Sequence, residues 1–178
     1  MFAYLLLLAA VVTRVVPHAG WMNFTAVGGA LLYFGARRSW REMLTPLAVL
    51  MATDFFLTVY SYHYAFKLQA YLPTWMWYAA AVVLGRILLS ERTTAWRVIA
   101  AALLGPTSFF VISNFAVWVA NGMYERSLSG LIACYVAAIP FYRNDLASTG
   151  IVLGLAFGVP ALLRKLNPSS EPALLAGK

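Results

Sequence analysis

The sequence predicts an all-α membrane protein with six transmembrane helices and one short re-entrant or interfacial helix. Three observations lead there. Of 178 residues, 62% are hydrophobic and 11% charged, and the mean hydropathy is +0.76. A soluble domain runs about 45–50% apolar and about 25% charged, and a chain this short cannot cover so much apolar surface in one water-facing globule. The apolar residues also fall into runs approaching the roughly 17–25 residues that a spanning helix needs. Finally, the net charge of +7 comes from short basic clusters between those runs, the pattern of orientation signals and anionic-lipid contacts. No arginine–aromatic stripe suggests a nucleic-acid partner.

The first run, Phe2–Val16, lacks the basic start and small-residue cleavage site of a signal peptide, so it reads as a retained helix. Phe24–Ala36 is a second, short helix, and Leu44–Phe66 a third, with Pro46 near its start. Pro73–Ser90 and Trp96–Ala120 follow, and Pro106 inside the latter predicts a kink. Leu128–Phe141, closed by Pro140, has the length of a piece that dips without crossing, and Leu146–Leu163 is the last span. Residues 1–166 thus form one transmembrane helical domain, and 167–178 a disordered tail rich in small and polar residues.

Charge placement decides between six and seven spans. With six, Arg37, Arg38, Arg41, Arg86, Arg92, Arg97, Arg164, Lys165 and Lys178 share one side, against Arg14, Lys67, Arg126 and Arg143 on the other. A seventh span spoils that bias. The positive-inside rule therefore predicts a multi-pass protein of the plasma membrane with both termini cytoplasmic.

Under this topology the chemistry-bearing residues gather toward the outer half: His18, Asn23, His63, Asn114, Trp118, Glu125, Arg126, Arg143 and Asp145. Asp54 falls near the middle of the third helix. A carboxylate at that depth costs roughly 2.5–3.5 kcal/mol on insertion scales, so it is either a ligand group or a structural lock bonded to another helix. Asn114 and Trp118, four residues apart, share a helix face, and serve either to orient and stack a planar ligand or as interhelical glue. Trp21, Trp40, Trp75, Trp77 and Tyr78 read as interfacial anchors.

Gly28, Gly29 and Gly35 give the second helix a face without bulk, which suits either internal packing or a docking membrane subunit. The single Cys134 excludes an intrachain disulfide and a cysteine metal cage. Two separated histidines without metal-ligand spacing give no reason to expect a metal or other cofactor. No Walker motif, nucleophile elbow or metalloprotease signature is present, so the chain does not read as an enzyme.

The segment Asn114–Phe157 carries a Trp at a helix end (Trp118), a small-residue stretch (Ser129–Ala138), Pro140-Phe141, and Asp145 before the last helix. It resembles the closing region of substrate-binding S components of energy-coupling-factor (ECF) vitamin transporters, the biotin-binding one most closely. In place of that group's lysine after the Asp stand Ser148, Thr149 and Gly150. Over most of its length the chain also resembles an uncharacterised family of small bacterial integral membrane proteins. The match is carried by Pro17-His18, Asn23-Phe24-Thr25, Asp54, Asn114-Phe115, Trp118, Gly122-Met123-Tyr124 and Phe141-Tyr142-Arg143-Asn144.

The first resemblance implies an S-component-like bundle in a bacterial inner membrane. An outward pocket would bind a small nutrient or vitamin for uptake, with Arg126 and Arg143 on an anionic group, Asn114 orienting it and Trp118 stacking. A membrane partner would supply ATP coupling. The alternative from another class is an accessory subunit of a larger membrane complex with no ligand of its own.

Overall fold

The computed structural model describes residues 1–16, 21–120 and 122–166, and every regular element among them is helical. In order these are α1 (Phe2–Val15), α2 (Val27–Arg37), α3 (Trp40–Ser61), α4 (Leu68–Leu89), α5 (Ala95–Ala120) and α6 (Leu128–Leu166). By length and composition, α3 to α6 are able to cross a membrane; α1, with 14 residues, and α2, with 11, are shorter. The predicted six spans therefore reduce to four among six helices. The predicted disordered tail and His18 lie outside the described residues.

Among the described residues there is no re-entrant piece. Leu128–Phe141 and Leu146–Leu163 are parts of one helix of 39 residues. Pro140 does not end it, because one lost backbone bond is tolerated inside a packed membrane helix. The polar run after it stays helical because each side chain finds a place. Arg143 faces outward, Asn144 Nδ2 donates to the Met22 carbonyl at 2.9 Å, and Asp145 turns inward. At about 1.5 Å per residue, α6 is about 58 Å long, well beyond a hydrocarbon core of about 30 Å. Pro106 likewise sits within a continuous α5, where Thr107 and Ser108 hydroxyls bond back to the Leu103 and Gly105 carbonyls.

α2 is the axis of the bundle. Nine of its 11 residues, including all three glycines, are buried, as expected of a helix apolar on every side. It packs against α1, α4, α5 and α6. At its crossing with α4 the contact is backbone to backbone: a Cβ on Gly35 would overlap the Val82 carbonyl, and one on Gly85 the Leu32 carbonyl. Gly28 faces Thr149 and Asp145, and Gly29 faces Val152. The glycine face considered as a docking surface for a partner subunit is thus filled by α4 and α6. Its own Leu31, Leu32 and Phe34, and Leu50, Leu89 and Leu153 around it, are fully buried.

The exterior is apolar where it is not packed. Only 17% of the apolar stretch of α5 is buried in the bundle, and Ile99, Leu103, Leu104, Val111, Ile112, Phe115 and Val119 are exposed. Contiguous apolar surface on this scale marks contact with a membrane or partner rather than with water. At one end Arg37, Arg38, Arg86 and Arg97 line a crevice. The other end carries the α1–α2, α3–α4 and α5–α6 connections.

Candidate functional site: a carboxylate cavity beside a buried ion pair

Arg14 sits in the last turn of α1 and Asp54 two-thirds along α3. They form an ion pair through Nη2 and Oδ1. From α4, Trp75 Nε1 donates to Asp54 Oδ2 at 2.9 Å and the Tyr78 hydroxyl to the same oxygen at 3.2 Å, while Arg14 Nη1 donates to that hydroxyl at 2.9 Å. Three helices are tied together at one point. Asp54 is 1% exposed, a burial that a carboxylate bears only when paired and hydrogen-bonded. Thr58 closes the assembly, donating to the Asp54 carbonyl at 2.7 Å and pairing with the Tyr71 hydroxyl. A π-helical stretch, Leu57–Ser61, begins there.

Trp77 and Tyr78 are therefore not interfacial anchors. Both are buried, Trp77 donating to Ser108 Oγ at 3.1 Å. Arg14, which charge counting alone treats as a loop residue, is the missed member of this group. Its signal was its position at the end of an apolar run that packs inward.

Beside the ion pair lies a cavity of about 220 Å³ whose lining includes Arg14, Asn23, Asp54, Tyr71, Tyr78 and Asp145. A larger one of about 370 Å³ opens between α5, α6 and the α1–α2 connection, with Asn23, Phe109 and Asp145 common to both. Its other walls include Phe110, Asn114, Tyr124, Phe141 and Tyr142. The geometry follows from helix length. α2 begins at Val27, level with Asp145 and Thr149, whereas α5 and α6 continue beyond that level and pair with each other (Cys134 and Tyr135 reach the Asn114 and Val111 carbonyls). A short axis under a long hairpin leaves a space.

The floor is set by local chemistry. Thr13 Oγ1 accepts the Ala26 N–H at 3.1 Å, so α1 caps the start of α2. Asn23 takes the left-handed conformation, φ 62°, which asparagine tolerates better than most residues.

The structure thus brings Asn23, Asp54, Asn114 and Asp145 to these cavities. Asn114 Nδ2 also donates to the Phe110 carbonyl at 2.8 Å. Five others stand apart from them. His63, φ 57°, is exposed in the α3–α4 connection. Trp118 Nε1 donates to the Glu125 carbonyl at 2.8 Å, and Arg126 bonds the Val119 carbonyl. Glu125 is exposed. Arg143 lines a shallow apolar groove with Ile132, Tyr135 and Ile139 on the outer face of α6. Among the described residues no group of three His, Cys, Asp or Glu side chains is placed to hold a metal ion.

Trp118 and Arg126 pin the α5–α6 turn. Trp118→Phe removes one such bond and is expected to lower stability by about 1 kcal/mol, with faster amide hydrogen exchange confined to residues 122–127. Unchanged exchange there counts against a pinning role.

Four helices long and apolar enough to cross a membrane, with apolar residues over much of the exterior, suggest a membrane protein. The chain belongs to a family of unknown function (DUF6580), which it matches over residues 1–171. No curated protein and no solved structure matches it. The likeness to ECF S components draws no support from these comparisons.

Proposed function

We propose that this protein is a membrane-embedded solute-binding protein for uptake of a small nutrient, with its site in the cavity between α5, α6 and the α1–α2 connection. One observation carries the reading: a cavity of about 370 Å³, in the range of about 300–1,000 Å³ usual for small-molecule sites, with apolar walls and a few convergent polar groups. The positive-inside rule puts the arginine-lined end in the cytoplasm and the cavity toward the outside. Bacterial inner membrane, vitamin-class substrates and an ATP-coupling partner are what the S-component likeness adds. The accessory-subunit alternative would have to dock elsewhere than on the glycine face of α2, which α4 and α6 occupy.

A thermal-shift screen of the detergent-purified protein against vitamins and other small nutrients tests this. At least one compound class is expected to raise the melting temperature by several degrees. Ala138→Trp, which fills the cavity from the buried side of α6, is expected to abolish that shift. If no compound stabilises the folded wild type, or if A138W responds equally, the reading fails.

A further inference from the structure

We propose that the ligand of this cavity is a small organic cation, an ammonium group attached to an apolar or aromatic body, and that Asp145 is its counter-ion. The inference rests on the binding reading above and names its substrate class. It reverses the polarity implied by the S-component resemblance, in which Arg126 and Arg143 meet an anion.

The charges facing the space decide the polarity. Asp145 is 6% exposed and lines both cavities. Its Oδ1 receives only a long bond from Thr149 Oγ1, 3.4 Å. Its Oδ2 receives none from any described residue. Every fully enclosed side-chain nitrogen or oxygen among the described residues has a partner, so Oδ2 keeps accessible surface, and at this burial that surface belongs to the cavity. The contrast with Asp54 is sharp. There an arginine, an indole and a phenol satisfy the carboxylate, and both Nη groups of Arg14 are already engaged by Asp54 and Tyr78. Arg14 and Asp54 neutralise one another, which leaves Asp145 as the uncompensated acid lining the two cavities.

A carboxylate at this depth without a cation is costly. An incoming ammonium removes that cost, whereas an incoming anion adds to it. The walls agree with the choice. Phe109, Phe110, Phe141 and Tyr142 surround the space, and aromatic faces attract cations while offering an apolar body a place to bury. Asn23 and Asn114 lie on the same walls, and amide oxygens complete the acceptor set that an ammonium needs.

The test uses three probes of matched shape on the full-length protein in detergent: 2-phenylethylamine, 2-phenylethanol and 3-phenylpropionate, with affinity read by calorimetry and thermal shift. The amine is expected to bind wild type at least tenfold more tightly than the alcohol, and the acid not at all. Asp145→Asn keeps the shape and is expected to lose that preference without losing its helical circular dichroism. Should D145N fail to fold, the wild-type ranking decides alone. Equal binding of amine and alcohol, or tighter binding of the acid, overturns the cationic assignment while leaving a binding cavity in place. No amine binding at millimolar concentration also overturns it, and the nutrient screen then decides separately whether the cavity binds anything.

Discussion

Asp54→Ala is expected to lower stability by about 3–5 kcal/mol, the cost of leaving one buried partner of an ion pair alone. In this variant Arg14 keeps its bond to Tyr78 but loses its counter-charge, while Trp75 Nε1 loses its acceptor. Arg14→Ala strands the opposite charge and is expected to cost a similar amount. The double variant Arg14→Met/Asp54→Leu is expected to be more stable than either single one, because apolar residues of similar size often replace a buried pair at little cost. Reversible unfolding in mixed micelles measures all of these. Additive effects, with the double variant as poor as the sum of the singles, would show that the two groups do not act as a unit.

The second large effect falls at the α2–α4 crossing. Gly35→Val and Gly85→Val are each expected to remove more than about 3 kcal/mol, the upper part of the overpacking range, and to abolish the folded monomer in mild detergent. No rotamer change relieves the clash, since the obstructing atoms are the Val82 and Leu32 carbonyls themselves. Gly150→Ala and Gly154→Ala are the controls. A Cβ at either meets nothing within 4 Å, so size-exclusion profiles and melting temperatures should match wild type. Wild-type behaviour of G35V would mean that the two backbones do not meet.

The membrane class was legible because it depends on composition, and the helices of α3 to α5 because their apolar runs are long and bounded by charge or proline. Asp54 stood out by its depth alone. What one residue string does not reveal is which helix ends share a level. Arg14 and Asp54 lie far apart in sequence, and only packing brings them together. The division of α6 into a dipping piece and a span came from reading Pro140 and the following polar run as breaks. Arg143 instead takes an outward path, Asn144 finds a tertiary partner and Asp145 faces the cavity, and such accommodation leaves no trace in local propensity. Trp77 and Tyr78 were misread for a related reason: a ring carrying one polar atom fits a headgroup layer and a buried hydrogen bond equally well. The sequence points to Asp145, but its want of a cation becomes visible only in the fold, where Arg126 and Arg143 face elsewhere.

The shortness of α2 has a consequence for permeation. Because this helix occupies the axis from the level of Asp145 to the arginine-lined end, it is a stopper beneath the cavity. Its own Leu31, Leu32 and Phe34, with Leu50, Leu89 and Leu153 packed around it, have no exposed surface, so the axis at that level is filled by side chains. On the binding reading proposed above, a solute in the cavity would therefore reach the arginine-lined end only if α2 were drawn aside or the whole body turned in the bilayer.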